Sequence, residues 1–407
     1  MPFSTIKAPH ILLPRKGVDM GAYAVIACDQ FTSQIEYWDK LKKDIGNKVS
    51  TFHMIFPEAY LESVNGDEYI NRINVNINKY LENKDLVDIG PSFILVERVT
   101  SYGTRRLGLV LSIDLEEYSY LRGVKCSIKA SEATIVERIP PRLKIRKDAP
   151  IELPHVLLLY DDIARQIIEP LYEHRDSLEC VYDFELNQNG GHIRGYKISD
   201  TDKVIKQFED LYNKNNSGLM FIVGDGNHSL ATAKAHWEEI KKNLKSEELV
   251  NHPARYALVE VNNVYDEGIN FEPIHRIVFN AGEDFVTELA NRLKGNTTVC
   301  YAYSKKYGKT ALNSPKNNAE TYQIVQSFID EYMKVHEDVK VDFIHDESSL
   351  IEIANNNENS IAIHMPALGK GDIFDFVARD AVLPRKSFSM GHASEKRYYL
   401  EAKSIRG

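Results

Sequence analysis

A short apolar strand that runs into a glycine turn and then into a helix constrains this chain more than any other feature. Residues 220–223 are Met-Phe-Ile-Val, the turn is Gly224, Asp225 and Gly226, and an alanine-rich helical pattern begins at Asn227. Glycines let backbone N–H groups approach a ligand closely, and the helix dipole adds about half a positive charge at the same point. The segment therefore predicts an anion site whose natural ligand is a phosphate.

The side chains of this turn suit a nucleotide phosphate. Asp225 is a candidate Mg²⁺ ligand, while Asn227, His228 and Ser229 offer hydrogen-bond donors to phosphate oxygens. Two common motifs are excluded, because position 229 is not the last glycine of G-x-G-x-x-G and no Gly-Lys-Ser/Thr follows. Spacing alone fits equally well an ordinary turn in which Asp225 or Asn227 caps the helix and His228 is a core or cap histidine.

Strand and helix patterns alternate along the 407 residues. Two hairpins are predicted, at 93–113 and at 181–198, because Gly103 and the Asn-Gly-Gly run at 189–191 suit tight turns. Antiparallel hairpins among helices favour a mixed sheet, so the predicted fold class is α+β. We expect an N-terminal α/β portion at 1–124, a core at 125–250 and a C-terminal α/β portion at 251–407.

Charge and cysteine content narrow the class of protein. Lys+Arg 50 against Asp+Glu 59 gives a net charge of −9, which argues against a protein that coats nucleic acid. The four cysteines include no C-x-x-C pair, and Cys28 and Cys126 have no visible histidine partner to activate them. The sequence has neither a long apolar stretch nor a signal-peptide pattern. We therefore expect a cytoplasmic protein without membrane segments.

Three evenly spaced arginines form a second candidate anion contact. Arg138, Arg142 and Arg146 flank the prolines at 140 and 141, which predict that the three side chains do not form one helical stripe. In an extended segment they would share one side. That side could hold phosphate or RNA, or it could be a solvated face.

The turn at 225–229, with the alanine-rich helix after it, resembles the Asp-Gly-His-His-Arg signature of a bacterial and archaeal family. This family is the domain of unknown function numbered ten-fifteen, whose fold belongs with ParB and sulfiredoxin. Further segments at 128–134, 273–276 and 383–387 are similar to family motifs in the same order. The resemblance implies a ParB/sulfiredoxin-like mixed-sheet core at 125–250, with additional α/β portions around it.

Relatives with this fold imply a function. They bind nucleotide phosphates with the same turn, and some are free serine kinases, one group of which uses ADP as the donor. The resemblance therefore implies a Mg²⁺-dependent phosphotransferase that uses ATP or ADP and acts on a small hydroxyl compound such as serine. The alternative is a nucleotide-responsive binding or regulatory protein without turnover. A DNA-binding nuclease is disfavoured by the net charge.

The resemblance also implies roles for residues outside the turn. Glu132 is similar in position to the general base of free serine kinases, and a carboxylate suits removal of a hydroxyl proton. Asp29 is a candidate second acid near the pocket. His275 and Arg276 are candidate pocket residues, and Lys386 is a candidate phosphate contact. A salt-bridged glutamate and a structural His–Arg turn are the ordinary alternatives.

The sequence departs from the family signature at three positions. Ser229 replaces the final arginine, Asn227 replaces the first histidine, and Ser131 replaces the histidine before the glutamate. Asn227 also leaves no sulfiredoxin-type cysteine at that position. Losing the arginine removes a bidentate phosphate contact. Either this branch binds a different ligand or another cation replaces it, the candidates being Arg138, Arg142, Arg276 and Lys386.

Overall fold

The computed structural model describes residues 4–215, 217–379 and 382–407. The chain divides into two compact units. Unit 1 comprises Met1–Ala130, Thr134–Ile269 and His392–Gly407, and unit 2 comprises Ser131–Ala133 and Asn270–Gly391. The division into portions at 1–124, 125–250 and 251–407 stays a prediction, as does the ParB/sulfiredoxin-like character of the core.

Strands and helices are labelled in chain order over the described residues. The strands are β1 (Ile6–Lys7), β2 (His10–Pro14), β3 (Val25–Ile26), β4 (Leu86–Pro91), β5 (Phe93–Val99), β6 (Arg105–Asp114), β7 (Tyr118–Ser119), β8 (Ile128–Ala130), β9 (Ile151–Glu152), β10 (Leu157–Tyr160), β11 (Glu179–Leu186), β12 (Gly191–Ile198), β13 (Phe221–Asp225), β14 (Tyr256–Asn263), β15 (Phe271–Pro273), β16 (His275–Phe279), β17 (Thr297–Ser304), β18 (Gly308–Ser314), β19 (Lys340–Ile344), β20 (Ser360–His364), β21 (Phe388–Met390), β22 (Tyr398–Tyr399) and β23 (Lys403–Ser404). The α-helices are α1 (Met20–Tyr23), α2 (Ile35–Ile45), α3 (Gly66–Glu82), α4 (Ile139–Lys147), α5 (Ile168–Glu173), α6 (Thr201–Lys214), α7 (Asn227–Ile240), α8 (Ser246–Leu249), α9 (Phe285–Leu293), α10 (Asn318–Val335), α11 (Glu347–Asn356) and α12 (Lys370–Ala378).

Unit 1 is built on a ten-stranded mixed sheet. Its order is β11-β12-β5-β6-β14-β10-β13-β8-β7, and β1 pairs with β6. β10 runs parallel to β14, and β8 runs parallel to both β13 and β7, while the other pairs are antiparallel. Both predicted hairpins, β5–β6 and β11–β12, are confirmed. The predicted α+β class is confirmed as well.

The central strands of this sheet are buried on both faces. Along β5, Ile94 and Val96 belong to one hydrophobic core, whereas Phe93 and Leu95 belong to another. Successive side chains of a strand point to opposite faces, so a strand covered on both sides has a continuous apolar sequence. The Phe-Ile-Leu-Val run of β5 is therefore explained by burial on both faces, and the sheet is a rigid platform for the turn that follows β13.

Unit 2 has its own, smaller core. A five-stranded antiparallel sheet has the order β18-β17-β20-β16-β19, and β15 pairs with β21. Ile277, Leu350, Ala354 and Ala362 pack together between this sheet and α11. Across both units, none of the helices in the described part of the chain combines the length and apolar character that a membrane span needs.

The prediction that the prolines keep the three arginines from forming one helical stripe was wrong. Helix α4 begins at Ile139, so Pro140 lies in the first helical turn. The N–H groups of the first turn have no acceptor inside a helix, so proline is tolerated there and its fixed φ even favours the start. Arg142 and Arg146 consequently lie one turn apart on α4, and Arg138 is the N-cap residue.

Candidate functional site

The turn segment from Gly224 to Ser229 comprises the end of β13, the single connecting residue Gly226 and the start of α7 in unit 1. Gly226 has φ of 83°, in the left-handed region that glycine adopts readily. A Cβ atom there would also lie 3.1 Å from Cα of Val156. The first N–H groups of α7 have no intrahelical acceptor. A left-handed residue thus directly precedes the N-terminus of α7, and any side chain at position 226 would be strained. The anion site itself stays a prediction.

Asp225 is engaged on both carboxylate oxygens. Oδ1 accepts the N–H of Gly226 at 2.9 Å, and Oδ2 lies 3.2 Å from Nζ of the largely buried Lys396. No group of three or more His, Cys, Asp or Glu side chains that could hold a metal occurs among residues 4–215, 217–379 and 382–407. Proteins usually hold Mg²⁺ through one or two carboxylates together with water and substrate phosphates. The role of Asp225 as a Mg²⁺ ligand therefore stays a prediction.

His228 is a neutral side chain in this turn. Its Nε2 accepts the N–H of Ile135 at 3.2 Å, which leaves the proton on Nδ1. Burial, followed by the positive charges of Arg142 and Arg138, lowers the pKa of His228 to about 4. At pH 7 the imidazole can donate one hydrogen bond but brings no positive charge to a phosphate.

Asn227 occupies the first position of α7. Its Oδ1 is buried and has no hydrogen-bond partner within the described residues. A buried amide oxygen without a partner costs about 1–3 kcal/mol. A donor on a bound ligand would remove this cost.

A cavity of about 170 Å³ begins at the first turns of α7. Ser229 and Thr232 line one end of it, and Arg142 and Arg146 of α4 line another part. Much of the remaining wall is apolar, and it includes Met54, Ile55, Phe56, Leu61, Ile73, Ile77, Ile145 and Leu153. The cavity of unit 1 thus has residues from the first turns of α7 and many apolar side chains in its wall.

The two cavity arginines are paired with glutamates. Arg142 bonds to Glu58, and Nη2 of Arg146 lies 2.5 Å from Oε2 of Glu152. Burial opposes ionisation of Glu152, but Arg146 and Lys403 outweigh it and lower its pKa. At Glu58, burial outweighs Arg142 and raises the pKa. The cavity therefore contains charged pairs of opposite sign.

Asp29, a predicted second acid, lies at the end of a polar chain beside the cavity. Its Oδ2 is 3.6 Å from Nε2 of His155, whose Nδ1 is 2.8 Å from the hydroxyl of Tyr399. That hydroxyl donates to Sγ of Cys28 at 3.0 Å. His155, Tyr399 and Cys28 all line the cavity. The arrangement forms a continuous Asp–His–Tyr–Cys chain in unit 1.

The pKa values along this chain separate its acidic and basic members. Burial disfavours both charges of the Asp29–His155 pair, but their mutual attraction holds the pKa of Asp29 below its ordinary range and raises that of His155. Burial raises the pKa of Cys28 to about 12, so its sulfur is a thiol and not a nucleophilic thiolate. Among these four side chains, His155 is the one whose ordinary pKa lies closest to neutral pH.

Glu132, the predicted general base, belongs to unit 2. Its Oε1 accepts the N–H of Ser387 at 3.0 Å, and the neighbouring N–H groups of Lys386 and Phe388 also point to its carboxylate. Desolvation raises the pKa of Glu132 to about 7, although these N–H groups and Arg276 oppose the shift. The carboxylate is thus held by a backbone loop and is near half-ionisation at neutral pH.

The other predicted residues of unit 2 have structural partners. His275 is buried, accepts the N–H of Met365 at 3.0 Å through Nδ1, and has its pKa lowered to about 4 by burial. Arg276 is fully buried, with Nε 3.3 Å from Oε1 of Gln326. Lys386 adopts a left-handed φ of 56°, and its ammonium lies 5.0 Å from the ring centre of Phe343. Their phosphate and pocket roles stay predictions.

Three residues beside the turn were missed by sequence reasoning. Lys396 pairs with Asp225, and His155 and Tyr399 line the cavity. His155 lies two residues before the apolar strand β10. The apolar run of β10 is visible in the sequence and could have placed His155 at the start of a buried strand. Lys396 and Tyr399 lie in the C-terminal segment, where no local pattern connects them to residue 225.

Comparison with known families gives a match over nearly the whole chain. A family model described as Protein of unknown function (DUF1015) matches residues 12–403. The chain belongs to this family. A comparison with curated protein sequences found no match.

Several solved structures are distantly similar to this family member. A free serine kinase in complex with AMP is 11% identical, with 73% of this chain and 92% of that chain covered and a TM-score of 0.39. A conserved hypothetical protein from Pyrococcus furiosus is 11% identical, with coverages of 73% and 95% and a TM-score of 0.35. SbnI from Staphylococcus aureus, truncated at its C-terminus, is 9% identical, with coverages of 73% and 87% and a TM-score of 0.41. Similarity of this degree assigns neither a ligand nor a reaction to the chain.

Proposed function

We propose that this protein is a nucleotide-dependent phosphotransferase that acts on a small hydroxyl compound. The observation that carries the proposal is the position of the Gly226 turn. The turn presents the N-terminus of α7, and Ser229 in that first turn lines a cavity large enough for a small molecule. A helix N-terminus binds phosphate through free N–H groups and the helix dipole. The cavity beside it is a place for an acceptor.

Lys396 is the proposed replacement for the signature arginine, whose position is occupied by Ser229 in this sequence. Its ammonium lies beside the turn, 3.2 Å from Asp225, and is largely buried. A buried ammonium forms stronger charge-assisted bonds than an exposed one because solvent screens it less. Arg142, which lines the cavity, is the second candidate cation in unit 1.

In the transfer, the acceptor hydroxyl oxygen forms a bond to the terminal phosphorus of ATP or ADP. The bond from that phosphorus to its bridging oxygen breaks, and the electron pair stays with the departing ADP or AMP. The hydroxyl proton passes to a protein base. His155 is the candidate base that lines the cavity of unit 1. Glu132, in unit 2, stays the base predicted from the sequence, and its pKa of about 7 suits proton acceptance at neutral pH.

Phosphorus NMR tests the proposal directly. Purified protein is incubated with MgCl₂, ATP or ADP, and a panel of hydroxyl compounds, and a new phosphomonoester signal is the expected result. Nucleotide that binds without any transfer would favour the regulatory alternative, for which the paired state of Asp225 and the neutral His228 are the motivating observations. A protein that binds neither nucleotide would contradict both readings.

Calorimetry of one variant pair tests the phosphate site. Lys396→Met should weaken nucleotide binding about tenfold or more, because a hydrogen bond to a charged group contributes about 1.5–3 kcal/mol. Lys396→Arg keeps the positive charge and should retain most of the nucleotide affinity. This variant therefore distinguishes loss of the charge from misfolding caused by a substitution at position 396. Lys203→Met, on the exposed face of α6, is the matched control and should bind normally. Equal affinity in the Lys396→Met and Lys203→Met proteins would place the phosphate elsewhere.

A further inference from the structure

We propose that the cavity of unit 1 binds the acceptor and that this acceptor is a neutral hydroxyl compound with an aliphatic body, not a free amino acid. The inference rests on the proposed phosphotransferase function and gives it a substrate class. Three properties of the cavity carry it: its size, the chemistry of its wall, and its position at the first turns of α7.

The size of the cavity limits its occupant. A cavity of about 150 Å³ lined by aliphatic and aromatic side chains holds benzene. The cavity of unit 1 measures about 170 Å³. It therefore suits an occupant of roughly six to eight non-hydrogen atoms by the same comparison.

The wall selects for apolar surface. Apolar side chains from three separate segments line the chamber: Met54, Ile55 and Phe56, Ile73 and Ile77 of α3, and Ile145 of α4. Burying aliphatic surface against such a wall contributes about 25 cal/mol per Å² of apolar area. A polyol or a zwitterion would have to place some of its polar groups against these apolar side chains, where they lose hydration without gaining hydrogen bonds.

The charges in the wall are already neutralised. Arg142 pairs with Glu58, Arg146 pairs with Glu152, and His155 pairs with Asp29. An amino acid needs a free cation for its carboxylate and a free anion for its ammonium. Each charged side chain among the described lining residues instead has a partner of opposite sign, so a neutral ligand is favoured.

The position of the cavity favours the acceptor over the nucleotide base. Ser229 and Thr232 lie in the first two turns of α7 and line the cavity. Its occupant therefore lies beside a phosphate bound at the turn. Reacting atoms must approach to about 3–3.5 Å. An acceptor hydroxyl satisfies this requirement, whereas a base is separated from the transferred phosphate by the ribose and the other phosphates.

The decisive experiment measures binding to the full-length protein without nucleotide. Saturation-transfer NMR is recorded with 3-methyl-1-butanol as the aliphatic probe and with L-serine and glycerol as the polar probes. We expect saturation transfer to the alcohol only. Ile77→Phe narrows the chamber and should abolish the transfer, while Val75→Phe, at an exposed position of the same helix, should leave it unchanged. Ala149→Leu fills the cavity from another side and covers the case in which Ile77→Phe fails to fold.

The outcomes separate this inference from the proposed function. Binding of L-serine or glycerol but not the alcohol would overturn the substrate class, as would alcohol binding that survives both filled variants. Alcohol binding that the filled variants abolish, without phosphoryl transfer to any hydroxyl compound, would support the ligand class of the cavity and contradict the phosphotransferase proposal. Phosphoryl transfer to serine without alcohol binding would support the phosphotransferase proposal and contradict the ligand class of the cavity.

Discussion

Replacing Glu132 by glutamine should stabilise unit 2 more at pH 8 than at pH 5. Burial raises the pKa of Glu132 from 4.5 to about 7. Between these values the native state keeps a proton that the unfolded state has released, so stability is highest at low pH and falls as pH rises through the native pKa. Glutamine carries no charge at any pH and can still accept the N–H of Ser387. The variant therefore avoids the cost of burying the ionised carboxylate.

The shift in pKa sets the size of the effect. One pKa unit corresponds to about 1.4 kcal/mol, and part of the cost is already present at pH 5, so the gain should grow by about 2–3 kcal/mol between pH 5 and pH 8. Hydrogen exchange of β16 and β20 reports the stability of unit 2 at both pH values. Glu337→Gln, at an exposed position of unit 2, is the control and should show no such growth.

The result bears on function as well as stability. If Glu132 is the general base, turnover in the Glu132→Gln protein should fall about 10²-fold or more while its stability at pH 8 rises. Substitution of a functional residue that is energetically unfavourable in the folded protein commonly raises stability and lowers activity. Equal stability gains at pH 5 and pH 8 would refute the argument that the carboxylate is ionised at a cost in the folded protein.

Three further perturbations test the geometry of unit 1. Gly226→Ala should lower the free energy of unfolding in urea by about 2–5 kcal/mol, because it combines a left-handed φ with contact against a neighbouring backbone. Gly103→Ala is the control: φ is 79° and the space around it is open, so the cost should be only about 1–2 kcal/mol. Asp29→Asn should lower the pKa of His155, since the carboxylate raises it, and imidazole NMR titration would show an unchanged value if the pair does not exist. Arg397→Met should cost about 3–5 kcal/mol in urea unfolding, because buried Glu401 loses its ion pair and Glu260 keeps only the longer one to Arg106, and a cost below about 1 kcal/mol would contradict the buried network.

The parts of unit 1 that were predictable depend on local sequence. The strand, the glycine turn and α7 follow one another along the chain, and the turn needs glycine because of its own backbone conformation. The hairpins were predictable for the same reason. Helix α4 was not, because proline favours the first turn of a helix but disrupts its interior, and the sequence pattern does not show where the first turn lies.

Contacts between distant segments explain what was missed. His155 acquires its role only when Asp29 and Tyr399 lie beside it, and 126 and 244 residues separate it from these partners along the chain. Lys396 likewise reaches Asp225 from the C-terminal segment. Hydrophobic period and turn residues carry no information about such pairs. The four cations considered from the sequence therefore did not include Lys396, although two of them, Arg138 and Arg142, act on His228 of the turn.

One strand pairing assembles these distant residues. β22 pairs with β3, which places Tyr399 opposite Val25, just before Cys28 and Asp29 in the chain. Arg397 fixes the strand from within, because its buried guanidinium bonds to Glu260 and Glu401 and donates to the carbonyl oxygen of Pro154, next to His155.

Lys396 and Tyr399 flank this anchored arginine. The same buried ion pairs therefore position the ammonium of Lys396 beside Asp225 and the hydroxyl of Tyr399 in the cavity. The turn itself is encoded locally, but its candidate chemistry depends on closure of unit 1 by the C-terminal segment. A chain cut before residue 396 keeps the strand–turn–helix segment in its sequence. It lacks the ammonium of Lys396 beside Asp225 and the hydroxyl of Tyr399 beside His155.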